Sequence, residues 1–181
     1  MNCLEFETPL GKMVAIGDDH NLTGLYFSDQ SNLPNLTVAT STTTNVVLLE
    51  TKKQLAAYFG GALQNFTLPV AVKATPFQRL VWDALARIEI GETISYLALA
   101  RSIGCESSVR AVAQAVARNP LIIITPCHRV IGSDGGLTGY SGGIARKKVL
   151  LAFDAAEIKI NFLFPLFNKQ ALSKINVLEC Q

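Results

Sequence analysis

The sequence predicts an α+β protein: a small N-terminal antiparallel sheet with one helix, then a mainly helical, winged-helix-like domain containing a helix-turn-helix. Three observations predict it. Short apolar stretches separated by turn formers fill the first 30 residues. Two short helical patterns flank a glycine-containing turn between Thr93 and Arg118. A β-branched run then ends in Pro126-Cys127-His128-Arg129. The 181 residues divide into an N-terminal domain over 1–72, a second domain over 73–158 and an extension over 159–181.

In the first domain Leu4-Phe6, Met13-Ala15-Ile16, Leu22 and Leu25-Phe27 read as strands, with Gly11, Asp18-Asp19 and Asn21 turning the chain between them. Residues 31–45, rich in Ser, Thr and Asn, form a polar connection. Apolar positions return at helical spacing from Val46 to Tyr58, and Gly60-Gly61 ends that helix. Phe66 to Val70 is an extended crossing toward the second domain.

That domain opens with a capping box, Thr75 and Gln78, and with Pro76 at the first helical position, where its missing N–H costs nothing. Phe77, Leu80, Val81, Ala84, Leu85 and Ile88 share one face, and Gly91 closes the helix. Thr93 to Gly104 is a short helix ended by glycine, and Val109 to Arg118 is a second one. Its core positions are Val109, Val112, Ala113 and Val116. The pair fits a helix-turn-helix as well as an ordinary helical hairpin. The outer face of the second helix carries Arg110, Ala111, Gln114 and Arg118. Alanines keep that surface low, so a groove can approach while Arg110 reaches past it.

Ile122 to Ile124 reads as a short buried strand. Pro126 fixes its own φ and keeps Thr125 out of helical geometry, so Cys127 starts a turn. A solitary cysteine is ordinarily a small buried hydrophobe. One held rigidly beside an imidazole and a guanidinium is a candidate nucleophile. Zinc does not fit, because adjacent Cys and His do not close on one tetrahedral ion and the other histidine is the distant His20.

A mean hydropathy of +0.30 argues for a well-packed globular protein and against disorder. The N-terminus lacks the basic start and apolar core of a signal peptide, and no apolar run approaches the roughly 20 residues that span a bilayer. The four cysteines show no framework spacing, so free thiols and a cytoplasmic location are expected, with no membrane partner. The net charge of +2 is unevenly placed: −3 over residues 1–72, +4 over 73–159 and +1 over the rest. A positive second half points modestly to a polyanion partner.

The segment Ile124-Thr125-Pro126-Cys127-His128-Arg129-Val130 resembles that of the O6-alkylguanine-DNA alkyltransferases, the methylated-DNA–protein-cysteine methyltransferases. Arg110-Ala111-Val112, Asn119-Pro120, Ile94-Ser95-Tyr96 and Gly139-Tyr140-Ser141-Gly142-Gly143 match in order and spacing. The likeness is strong over residues 75–154 and looser before them. It implies a partner, double-stranded DNA containing O6-alkylguanine, and no cofactor. Cys127 would take the alkyl group from O6 of guanine, with O4 of thymine as a further substrate. His128 would act as base through a water, and Asn119 would orient the cysteine segment. Tyr96 would protonate the departing guanine.

The resemblance also implies that Arg110 fills the stack vacated by a flipped nucleotide, with this helix in the minor groove. Extrusion costs a few kcal/mol, and guanidinium stacking offsets about 1 kcal/mol of it. Ala111 and Ala113 would allow close approach, Ser133 with Gly135-Gly136 would meet phosphates, and Tyr140, Ser141 and Val130 would line the base pocket. The carboxylate that orients the imidazole is Glu in the family and Asp154 here. One methylene less predicts a longer or bridged contact and slower transfer. Some relatives hold zinc in the first domain on two Cys and two His; Cys3 and His20 do not complete such a set, so no metal is expected.

Sulfur on saturated carbon gives a thioether that water does not readily cleave, so the protein would act once, as a monomer. Two other classes stand beside this one: a lesion-binding relative that transfers nothing, which Cys127 argues against, and a helix-turn-helix regulator.

Overall fold

The structure, a computed structural model, describes residues 1–30, 32–35, 40–41 and 44–156; the expected extension over 159–181 lies outside them. Strands β1 (Asn2–Thr8), β2 (Gly11–Gly17) and β3 (Leu22–Phe27) form an antiparallel meander. Gly11 takes φ +112°, which the tight β1–β2 turn needs. Asp18 organises the next turn by accepting from the backbone N–H groups of His20 and Asn21 at 2.8 Å each. Inside the polar connection, β4 (Thr40–Ser41) adds a short parallel pairing to the free edge of β1, which the composition of that stretch did not suggest.

Period-two alternation divides the sheet. Phe6, Met13, Ala15, Leu25 and Phe27 join the main core, while Cys3, Val14 and Ile16 pack on the opposite face with Tyr26. Helix α1 (Val46–Phe59) covers the first face with Leu48, Leu55, Tyr58 and Phe59. Asn45 caps it by accepting from Leu48 N–H at 3.0 Å, and Gly60-Gly61 ends it as expected.

Helix α2 (Pro76–Leu85) carries the predicted capping box, but it stops at Ala86 and not at Gly91. Residues Ala86 to Gly91 turn instead, with Ile88 N–H returning to Leu85 O at 3.1 Å. Leu80, expected in the core, is 44% exposed, and Trp82 takes the buried place. Its indole N–H donates to Ala115 O at 2.9 Å, locking α2 against α4 (Val109–Ala117). A bulky ring with one polar atom fills that crevice better than leucine because the donor finds a partner. Ala115, and not Ala113, is the buried alanine of α4.

Helix α3 (Tyr96–Ser102) begins at the cap Ser95, and Gly104 at φ +70° ends the first half of the helix-turn-helix. The residues before α3 form β5 (Ile94–Ser95), which pairs in parallel with β6 (Val130–Ile131) just past the cysteine. That pairing sets Tyr96 beside Cys127. Helix α5 (Ile144–Asp154) closes the fold.

The β-branched run is not a strand. Pro120 and Pro126 bracket it, Thr125 N–H returns to Leu121 O at 2.8 Å, and Ile123 is forced to φ +73°. Only Leu121 pairs, in a bridge with Leu25 of β3, so the turn docks on the first domain's sheet. Val70 of the crossing bridges Leu22 of the same strand. One core therefore runs from the sheet through α1 to Val81, Leu99, Val112, Ile122, Val149 and Leu150. No described helix is long and apolar enough to cross a membrane.

Candidate active site

Cys127 opens a one-turn 3₁₀ helix, Cys127–Arg129, all three residues of which are buried. Asn119, 1% exposed at the end of α4, shapes its approach. Its Nδ2 donates to Thr125 O at 2.7 Å and to Cys127 Sγ at 3.2 Å, while its Oδ1 accepts from Leu121 N–H at 3.0 Å. One carboxamide thus closes the turn and touches the thiol. Burial pushes the thiol pKa up to about 11; the Asn119 contact and the nearby Lys147 charge offset this in part.

Behind the thiol, His128 is fully buried and its Nε2 lies 3.0 Å from Asp154 Oδ2. A carboxylate only accepts, so Nε2 carries the proton and Nδ1 presents a lone pair. Nδ1 has no hydrogen-bond partner among the described residues. Burial lowers the imidazole pKa, and the Asp154 contact opposes that. The contact is direct, so the expected longer or bridged reach of Asp does not occur.

Asp154 is itself tightly held. Oδ1 accepts from Tyr58 Oη at 2.7 Å, and Oδ2 also accepts from Arg129 Nε at 2.7 Å. Burial pushes this carboxyl upward, but the hydrogen bonds from His128, Arg129 and Tyr58 prevail and hold it at about 2. Arg129 is fixed in turn by Ile88 O at 2.7 Å. Sequence reasoning missed both extra partners. Arg129 was visible as a cation beside the pair, but Tyr58 was one more apolar position of α1, and no local signal tied it to a carboxylate 96 residues away.

In front of the thiol is an open cleft of about 700 Å³. Tyr96, Arg110, Ala113, Cys127, Tyr140 and Ser141 line it together, as does Asn32 from the first domain. The hydroxyls of Tyr140 and Ser141 are buried without a partner among the described residues, which suits groups that meet a ligand. Tyr96 Oη donates to Thr138 O at 3.3 Å and to Gly139 O at 3.5 Å, both long. Burial raises its pKa, so the phenol keeps its proton at neutral pH.

Two residues expected at the DNA surface and one expected in the pocket lie outside the cleft lining. Ala111 is exposed on α4 outside the cleft lining. Ser133 sits on the exposed turn 132–136, which is stapled by Gly132 N–H to Gly136 O at 2.8 Å. Val130 is fully buried and pairs with Ile94, so its side chain belongs to the core and not to the pocket wall.

Comparison with known proteins identifies relatives of the whole fold. Residues 76–156 match the family model for the 6-O-methylguanine DNA methyltransferase DNA-binding domain, and residues 4–72 match its ribonuclease-like domain. The constitutive methylated-DNA–protein-cysteine methyltransferase of Bacillus subtilis (strain 168) is 42% identical over 149 residues, covering 80% of this chain and 89% of its own. The Mycobacterium leprae methylated-DNA–protein-cysteine methyltransferase is 39% identical over 158 residues, covering 87% and 94%. The crystal structure of Mycobacterium tuberculosis OGT in complex with DNA superposes with a TM-score of 0.83 at 36% identity, covering 91% of this chain and 99% of that one. The fold, the cysteine turn and these matches together place the chain in the 6-O-methylguanine DNA methyltransferase family.

Proposed function

We propose that this protein repairs DNA by direct reversal, moving an alkyl group from O6 of guanine, or from O4 of thymine, to Cys127 in a single turnover. The observation that carries the reading is that Cys127 lines a cleft beside an arginine-bearing helix, with the buried His128–Asp154 pair next to it and His128 Nδ1 without a partner among the described residues.

At a pKa of about 11, roughly one thiol in 10⁴ is ionised at neutral pH, so deprotonation must accompany attack. The thiol proton passes to Nδ1 through a bridging water, and Asp154 stabilises the imidazolium. Sulfur attacks the alkyl carbon from the side opposite O6, the C–O6 bond breaks, and its electron pair goes to the guanine. Tyr96 gives the ring its proton and is re-protonated by the one taken from the thiol. The balance is thiol plus alkylguanine to thioether plus guanine.

The base reaches the cleft only outside the duplex. Arg110 and Arg118, exposed on the cleft side of α4, suit a phosphate-rich partner, and Arg110 fills the vacated stack. Recognition by a monomer, in the minor groove and with Ser133 at a phosphate, completes the reading.

Intact mass after incubation with duplex DNA containing O6-methylguanine tests it. The expected result is a gain of one methyl, absent from Cys127→Ala. Unmodified protein bound tightly to the lesion would mean a lesion-binding role. Unmodified protein without lesion preference would mean a regulator.

A further inference from the structure

The first domain sends a short turn across to the cleft, and alkyl transfer itself makes no use of it. Gln30, 7% exposed, folds that turn: its Oε1 accepts from Phe27 N–H at 2.9 Å, and its backbone carbonyl accepts from Leu33 N–H at 3.3 Å. With the carboxamide oxygen taken by a donor, the nitrogen Nε2 is left to donate to Asn32 Oδ1, at 2.6 Å. That bond decides which end of Asn32 faces outward. Its oxygen is committed to Gln30, so Nδ2 turns to the C-terminal end of α4, where it meets Ala117 O at a long 3.4 Å. The second N–H of Nδ2 has no partner among the described residues. Asn32 is exposed and lines the cleft together with Arg118, the residue after Ala117. Arg118 forms no ion pair among the described residues.

The charge of this corner runs against that of its domain. Residues 1–72 carry a net −3, yet the side chain they bring to the cleft is a neutral donor. Asp29, three residues before it, spends its carboxylate on Arg146 in a paired contact at 2.8 and 2.9 Å. An oriented amide N–H beside an unpaired guanidinium suits an anionic oxygen. Arg118 stands eight positions after Arg110, which is about 12 Å along a helix axis and roughly three to four nucleotide steps on one strand. We propose that Asn32 and Arg118 form a second DNA anchor, gripping a backbone phosphate a few nucleotides from the flipped one, so that the first domain takes part in holding the duplex. The inference rests on the reading of this cleft as a DNA site given above. Its consequence is a hold at both ends of α4. Arg110 fills the vacated stack at one end, and the anchor fixes the register of the strand at the other, as phosphate contacts do.

Asn32→Arg and Asn32→Asp test the proposal, read by fluorescence anisotropy on undamaged duplex DNA over a series of salt concentrations. A phosphate contact made by a cation enters the slope of log Kd against log salt. Asn32→Arg should tighten binding severalfold at low salt and steepen that slope by about one. Asn32→Asp, which sets a carboxylate against the phosphate, should weaken binding at least tenfold. Asn65→Arg is the control: it makes the same change of charge at an exposed position of the first domain that lines a separate cleft behind the cysteine turn, and it should keep the parent's slope. A slope for Asn32→Arg no steeper than that of Asn65→Arg overturns the proposal, whatever the Asp variant does. A folded Asp variant with the parent's affinity overturns it as well. If the Asp variant does not fold, the comparison of the two Arg variants decides alone. No methyl transfer enters this assay, so the anchor can fail while Cys127 is methylated, and Cys127 can stay unmethylated while the anchor holds.

Discussion

At the scale of the residue, Asp154 does more than a shorter stand-in for Glu. The sequence placed it where the family has Glu and predicted slower transfer from its reach, but the 3.0 Å contact to His128 removes that ground. The carboxylate is also clamped by Tyr58 and Arg129 at 2.7 Å each, so an added methylene has no room to improve the contact. Asp154→Glu is therefore expected to transfer no faster than the parent in a quench-flow assay, and a clear gain would contradict this. Asp154→Asn removes the charge that holds the imidazole tautomer, and a loss of roughly 10²-fold or more in rate is expected. It also strips the buried Arg129 of its counter-charge, at a cost of about 3 kcal/mol in a urea melt. The thiol makes a pH prediction. Burial raises its pKa, so the neutral thiol is favoured below about 11, and iodoacetamide modification of Cys127 should go on rising past pH 9, where an exposed thiol levels off.

At the scale of the element, legibility followed how local the cause was. The Thr75–Gln78 capping box, the Gly60-Gly61 stop and the glycine turn of the helix-turn-helix are each decided by a few neighbouring residues, and each stands as read. The run from Leu121 to Thr125 misled because β-branched composition argued for a strand while Asn119, an i→i+4 return and two prolines imposed a turn. The β5–β6 pair is two residues long and joins segments 36 residues apart, so no local pattern announces it. Cys127, His128 and most of the cleft could be named in advance; Tyr58 and Lys147 could not, since their partners are distant in sequence. Helix α4 carries its own prediction. Arg110→Ala should slow repair of duplex DNA by at least tenfold and leave reaction with the free O6-benzylguanine base unchanged. Equal losses on both substrates would mean that Arg110 acts on the pocket and not on the duplex.

At the scale of the whole molecule, the two halves work as one body. Tyr58 brings the first domain to Asp154, and the cysteine turn leans on β3 through Leu121. A third tie is Arg146 of α5. It donates to Leu10 O at 2.7 Å and to Gly142 O at 3.0 Å, forms a paired contact with Asp29, and stacks 4.1 Å from the Phe27 ring centroid. Arg146→Ala should cost about 2–3 kcal/mol in a denaturant melt, and a loss below about 0.5 kcal/mol would show that the halves cohere without it. Tyr58→Phe should keep the fold but weaken the hold on Asp154, slowing transfer several-fold. The central claim is that this body spends one thiol per lesion. The most direct measurement digests the protein after reaction with excess methylated duplex and locates the methyl group by mass spectrometry. One methyl per chain, on the peptide holding Cys127, is the predicted result; a methyl elsewhere, or more than one lesion cleared per chain, would contradict it.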